Sequence, residues 1–197
     1  MMRRRSDAFL FLLLVFLASP THTEQPRQDA APPVEGETRP VEVERLAFAI
    51  IAPAHWQLKL NERIKMFLHL QETNDDGALL PANLNIQYRR SEDKPFPQVP
   101  DADAYAQIIV ASSKADMPDI KILSSQGVEL SGYKGVRVSF TATIRGMLLR
   151  MDHYNVVHPE GKDSFIVTAG TLNELWDTSQ ETFSQIISTI KLDAGKE

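Results

Sequence analysis

Four polar side chains between residues 131 and 171 have the types and spacing of a binding site for an anionic group. Arg137, Arg150, Asp152 and Tyr154 occupy alternate positions of two predicted strands, so they should share one face of a sheet. A guanidinium offers a planar fork of donors to a carboxylate or phosphate, and tyrosine adds an amphipathic contact. The pattern predicts a site for an acidic partner segment. A solvated face, or one covered by a helix, would show the same pattern.

A chain reversal at Arg145–Gly146 sets the register of these two strands. It pairs apolar residues with apolar residues: Ile144 with Met147, Ala142 with Leu149, and Phe140 with Met151. The same register sets Arg137 opposite Tyr154 and lets Arg137 and Asp152 interact diagonally.

Methionine and phenylalanine side chains suggest a second kind of site. Met66, Phe140, Met147 and Met151 would line a space for an apolar or lipid-like ligand between a helix and the sheet. A cavity at these residues would favour this hypothesis.

The histidines favour structural roles over catalysis. His153 falls on the apolar face beside Val138, which is typical of a buried, hydrogen-bonded histidine. A metal site of His153, His158 and Glu160 is the enzymatic alternative, although no zinc-binding helical motif is present. The sequence contains neither a G-x-S-x-G motif nor a phosphate-binding glycine loop. We therefore expect a non-enzymatic protein with no cofactor and no metal.

The composition limits the partners. The chain has 197 residues, of which 43% are hydrophobic and 24% charged, which suits one globular domain with terminal extensions. It has no cysteine, which excludes disulfides, thiolate chemistry and a lipid-attached cysteine. The net charge of −5 argues against a general binder of nucleic acid or anionic membranes.

The N-terminal part is expected to direct export. Residues 1–23 combine arginines with an apolar block too short to span a membrane, which is typical of a secretory signal peptide. Residues 24–40 are rich in proline and polar residues and should form a disordered linker. Residues 41–197 should form a single domain. The mature chain is expected to be soluble and extracytoplasmic, in the periplasm, with no transmembrane segment.

The folded part is predicted to be α+β. Alternating patterns predict an antiparallel sheet, and 103–115 and the segment after Thr171 predict a middle helix and a long C-terminal helix packed on it. Thr171 and Glu174 have the spacing of a capping box. Gly132 and Gly135 should bracket a turn, and the strand before it should be irregular near Gly127.

The order of elements resembles a known family. The residues that carry the likeness are the strand ending in Pro53 and Trp56, a proline-flanked middle helix, the turn Gly132-Tyr133-Lys134-Gly135, and the final Ser188-Thr189-Ile190-Lys191-Leu192. Over residues 41–192 the chain resembles the PsbP-like α/β/α sandwich, most closely the bacterial DcrB-type domains. The resemblance implies an accessory, assembly or chaperone-like role without a shared catalytic set. DcrB-type domains are often lipid-anchored, and this chain lacks the cysteine for it.

We therefore expect an accessory or assembly protein that binds an envelope or secreted protein. The alternatives are a module for an apolar ligand and a metal-assisted enzyme.

Overall fold

A computed structural model describes residues 38–43, 48–61, 67–74, 77, 79–90, 95–99 and 101–192. The predicted signal peptide, most of the predicted linker and Met66 lie outside these residues. The first described strand includes residues 38–40, which the sequence assigned to the linker.

The elements in chain order are β1 (Thr38–Val43), β2 (Phe48–Pro53), β3 (Trp56–Asn61), β4 (Phe67–Thr73), β5 (Leu79–Arg90), α1 (Ala102–Ser113), β6 (Lys121–Leu130), β7 (Tyr133–Ile144), β8 (Met147–Val157), β9 (Asp163–Leu172), a 3₁₀ turn (Asn173–Leu175), α2 (Trp176–Ser188) and β10 (Lys191–Leu192). Neither described helix is long and apolar enough to cross a membrane.

Antiparallel pairing joins the strands into two sheets. The larger sheet has seven strands in the order β3-β4-β5-β9-β8-β7-β6, and the smaller has the order β1-β2-β10. The predicted α+β class, with a middle and a C-terminal helix packed on an antiparallel sheet, is confirmed.

Of the two described helices, one packs on each face of the large sheet. On the face that we call the α2 face, Trp176 and Phe183 of α2 pack in a cluster with Trp56 and Val167. On the opposite α1 face, Ile109 of α1 packs with a separate cluster of β7 and β8 side chains. Residues 163–171 of β9 are all buried, because this central strand has a helix-bearing face on each side. Burial of β9 from both sides was predicted and is confirmed.

The predicted β7–β8 register is confirmed at every position. Ile144 faces Met147, Ala142 faces Leu149 and Phe140 faces Met151. Arg145 and Gly146 have φ values of 53° and 80°, the left-handed conformation that a two-residue hairpin turn requires.

Two predictions about glycines were wrong. Gly135 is not in a turn: the turn is Ser131–Gly132, and Gly135 lies within β7. A side chain at Gly135 would overlap the carbonyl oxygen of Asn155 and come within 2.7 Å of Val156 Cα, so close strand packing explains this glycine. The irregularity in β6 falls between Ile122 and Ser124 rather than near Gly127.

The predicted capping box was also wrong. Thr171 remains in β9, where it pairs with Arg150, and the helical segment begins two residues later with no side-chain cap at Leu172. The sheet partner of Thr171 therefore overrides its local capping signal.

Candidate functional site

The predicted polar residues lie together on the α2 face. Three cross-strand rows of β6, β7 and β8 form what we call the arginine strip: Lys121–Thr141–Arg150, Ser124–Ser139–Asp152 and Gln126–Arg137–Tyr154. The register fixes this arrangement, because directly opposed residues in an antiparallel pair share a face.

Arg137 is held at one end of the strip by its neighbours. Its Nη2 forms an ion pair with Oδ2 of Asp152, so the predicted diagonal contact is confirmed. The hydroxyl of Ser139 donates a hydrogen bond of 2.5 Å to the other carboxylate oxygen of Asp152. Arg137 Cζ lies 5.7 Å from the centre of the Tyr154 ring. The Asp152 side chain is 7% exposed, whereas the Arg137 side chain is 30% exposed, so Arg137 reaches the surface and its partner does not.

Arg150 lies at the other end, beneath α2. Its Cζ is 4.7 Å from the centre of the Trp176 ring. Its neighbour on β9 is Thr171. Arg150 Nε and Thr171 Oγ1 are both buried without a hydrogen-bond partner among the described residues, and so is Arg137 Nε. A helix covering the polar face was the alternative to a binding site, and this is what the structure shows for Arg150, which lies beneath α2.

A cleft of about 440 Å³ opens beside Arg137. One wall is the last part of β6, and the other is the C-terminal half of α2, including Ser184 and Ile187. Burial raises the pKa of Tyr154, which also lines this cleft, while Arg137 opposes the shift. The tyrosine hydroxyl therefore stays protonated at neutral pH. Glu129 is the acidic residue of the lining, and Arg137 is its cation. Arginine and hydroxyl donors around an open cleft suit a carboxylate or a phosphate group.

The three predicted apolar-ligand residues that the structure describes do not surround one space. Phe140 and Met151 are fully buried in the cluster beneath α1, and Met147 is 46% exposed next to the β7–β8 turn. Met66 lies outside the described residues. Phe140 and Met151 are thus core residues and do not line a ligand site.

A second, smaller cleft was not predicted from the sequence. It has a volume of about 260 Å³ and lies between the start of α2 and the β3–β5 part of the sheet. Its lining combines Trp56 and Leu80 with Thr171, Thr178 and Thr182. Thr178 and Thr182 are four residues apart, about one helical turn. This spacing in the sequence could have predicted that they form a polar side of the helix.

The metal alternative is contradicted by the geometry. His153 lies on the α1 face, where its ring atoms are 3.2 Å from Tyr105 Oη and 3.1 Å from Thr168 Oγ1. His158 contacts the ring of Tyr133, which belongs to the core of the α2 face. The two histidines therefore lie on opposite sides of the sheet. Among the described residues, no group of three or more His, Cys, Asp or Glu could hold a metal ion.

Comparison with solved structures places the fold. No protein-family model matches the sequence, and no curated protein matches it. The cyanobacterial PsbP protein (CyanoP) of Synechocystis sp. PCC 6803 superposes with a TM-score of 0.55 at 9% identity, over 85% of this chain and 99% of that one. The Ran-binding protein Mog1p of Saccharomyces cerevisiae gives 0.52 at 7% identity, over 80% and 96%. The chain has a Mog1/PsbP-like fold.

A third structure belongs to the same group. LpqN of Mycobacterium tuberculosis, described as involved in cell envelope biogenesis, gives a TM-score of 0.50 at 14% identity, over 81% of this chain and 88% of that one. The predicted PsbP-like architecture is therefore confirmed, and the closer likeness to DcrB-type domains stays a prediction.

Proposed function

We propose that this chain is an extracytoplasmic accessory or assembly protein that binds an acidic segment of another protein at the arginine strip and catalyses no reaction. The observation that carries the proposal is Arg137, whose side chain is 30% exposed at the open cleft beside α2. Its guanidinium has several N–H donors, and the contact with Asp152 engages one of its terminal nitrogens, so the exposed part can bind a carboxylate of a partner.

The charge of the strip supports the same partner chemistry. Lys121, Arg137 and Arg150 share the strip with one carboxylate, that of Asp152, in a protein whose net charge is −5, and Glu129 lines the adjoining cleft. A local positive surface on an acidic protein favours binding of an acidic segment at that surface.

The fold adds support of a more general kind. Mog1p is a Ran-binding protein, and LpqN is involved in cell envelope biogenesis. These are properties of those proteins, and they make a binding or assembly role reasonable for a chain of the same fold. The location outside the cytoplasm rests on residues 1–23 as an export signal. N-terminal sequencing of the exported protein checks it: a mature chain that still begins at residue 1 would contradict export by cleavage.

Affinity capture with matched variants tests the site. Arg150→Gln removes one of the three positive charges of the strip while keeping a similar stem, and it should lower recovery of the protein that co-purifies with the wild type from its native envelope. Lys134→Gln removes an equal charge from the exposed opposite face of β7 and should leave recovery unchanged. Equal recovery with both variants would contradict the proposed site. Circular dichroism and melting curves of each variant establish that it is folded.

Arg137 needs a different design, because Asp152 is buried against it. Arg137→Gln alone would leave a buried carboxylate without its cation, so a lost partner could reflect lost stability. The double variant Arg137→Gln/Asp152→Asn removes both charges together. It should remain folded and bind the partner less tightly than the wild type. Undiminished binding would exclude Arg137 from the site.

The cleft of about 260 Å³ supports a second candidate function, the binding of a small apolar ligand with a polar head group. Trp56 lines this cleft, so a bound ligand would change tryptophan fluorescence. Short-chain alcohols and amides are suitable probes, because the lining has Glu72 and neither lysine nor arginine, which disfavours carboxylates. A fluorescence change that is lost in Thr182→Val would support this function, and no change at any probe concentration would contradict it.

A further inference from the structure

β6 is an open edge of the large sheet beside the arginine strip. Within the part of the chain that the structure describes, β6 pairs with β7 and has no strand on its other side. It is ten residues long, and after the bulge between Ile122 and Ser124 the stretch 124–130 pairs regularly with β7. An edge strand presents unpaired N–H and C=O groups to which another chain can add a strand.

This edge has little protection against strand addition. Proteins guard their edges with lysine, proline or bulges. In β6 the lysine and the bulge both lie at the start, at Lys121 and before Ser124, and the stretch 124–130 contains neither. Gln126, Gly127 and Glu129 are exposed along it. The unguarded stretch is about 23 Å long, enough for a seven-residue segment.

The cleft beside Arg137 lies where alternate side chains of an added strand would point. Gln126 and Val128 of β6 line this cleft together with Arg137, Tyr154 and Ile187. Neighbouring strands are about 4.8 Å apart, so an added strand would be about 10 Å from the backbone of β7. Arg137 leans towards Asp152 and Tyr154 of β8. When it turns towards β6, its side chain and a glutamate of the added strand together span that distance.

We propose that the acidic segment binds as an added strand on residues 124–130 of β6, with Asp or Glu at alternate positions facing Arg137 across the cleft. This proposal rests on the proposed function and adds the mode of binding. The occupant is a segment of another protein rather than a second copy of this chain. A second β6 would present no acid on the α2 face, since its residues there are Ser124, Gln126, Val128 and Leu130.

Backbone-methylated peptides test the pairing without changing the protein. The parent peptide has nine residues with Glu at alternate positions and Thr or Val between them. One version is N-methylated at the glutamates, another at the intervening residues, and a third has the same composition with the glutamates contiguous. Only one set of alternate N–H groups can face β6 in a strand pair. Methylation of one set should therefore weaken binding by about tenfold or more, and methylation of the other set should leave it unchanged. The contiguous peptide should bind more weakly than the parent.

Amide hydrogen exchange of the full-length protein supplies the second readout. Alternate amides of residues 124–130 should become protected when the parent peptide binds. If both methylated peptides bind like the parent and exchange in β6 is unchanged, strand addition is refuted, while a loss of binding in Arg150→Gln would leave the proposed function standing. If β6 becomes protected but Arg150→Gln and the double variant bind normally, the arginine strip is refuted instead. Self-association of the free protein that protects the same amides would show a second copy to be the occupant.

Discussion

Acid should destabilise this protein through His153. The residue is 4% exposed on the α1 face, and burial lowers its pKa from 6.5 to about 4. Its ring lies between two hydroxyl groups, those of Tyr105 and Thr168. Asn155 donates a hydrogen bond of 3.0 Å to the Tyr105 hydroxyl, which can in turn donate to the histidine ring. This chain of hydrogen bonds suits the neutral ring and provides no negative charge for a protonated one.

The sign of the effect follows from the lowered pKa. The folded state binds the proton less tightly than the unfolded chain, so the contribution of neutral His153 is complete above about pH 6.5 and is lost as the pH falls towards 4. Each unit of pKa difference corresponds to about 1.4 kcal/mol. The free energy of unfolding should therefore fall by about 2 kcal/mol by pH 5 and by about 3 kcal/mol by pH 4.

Urea unfolding between pH 4 and pH 7.5, compared with His153→Gln, measures this effect. Glutamine keeps hydrogen-bonding groups but has no proton to gain in this range, so the variant should be less stable overall with a shallower dependence on pH. The comparison also separates His153 from His69, whose pKa is lowered mainly by its own burial and which titrates in the variant as well. Parallel pH profiles for the two proteins would refute the assignment to His153.

Further substitutions test the packing. Gly135→Ala should lower the free energy of unfolding by about 3 kcal/mol or more, because the new methyl overlaps backbone atoms of β8. In Gly127→Ala the new methyl meets only a carbonyl oxygen at 4.0 Å, so the loss should be under about 1 kcal/mol. Similar losses in the two variants would refute the close strand approach at Gly135. Trp176→Ala removes a ring that is 1% exposed and should cost about 3 to 5 kcal/mol in denaturant unfolding, and a loss under about 1 kcal/mol would mean that the ring is not packed. Arg137→Gln should lower the free energy of unfolding by about 2 kcal/mol, less than the loss of a fully buried ion pair, because the Arg137 side chain is 30% exposed. Adding Asp152→Asn should restore about half of that loss. If it restores none, the unpaired carboxylate of Asp152 is not the cause.

Alternation and turn chemistry were sufficient to predict the central hairpin. The apolar residues of β7 and β8 match in one register only, and Arg145–Gly146 supplies the left-handed turn that fixes it. Because the register was right, the sequence also placed Arg137 beside Asp152. Local periodicity and pairing geometry decide these features, and both can be read from residues near each other in the chain.

Features that depend on distant parts of the chain could not be predicted in the same way. Thr171 and Glu174 carry a capping signal, but pairing with Arg150 keeps Thr171 in the sheet. Likewise, no local pattern reveals that Trp176 covers Arg150 while Arg137 remains at an open cleft, because the position of α2 on the sheet depends on packing across the whole α2 face. Gly135 was assigned to a turn because the sequence does not show which backbone atoms lie against it.

Binding of acidic side chains at the arginine strip is tested most directly by NMR. The Nε–H resonances of the arginines are followed while the alternately acidic peptide is added to ¹⁵N-labelled protein. The Arg137 resonance should shift with the same dissociation constant as peptide binding, because Arg137 lines the open cleft beside β6. Peptide binding that leaves the Arg137 resonance unmoved would contradict the proposed site.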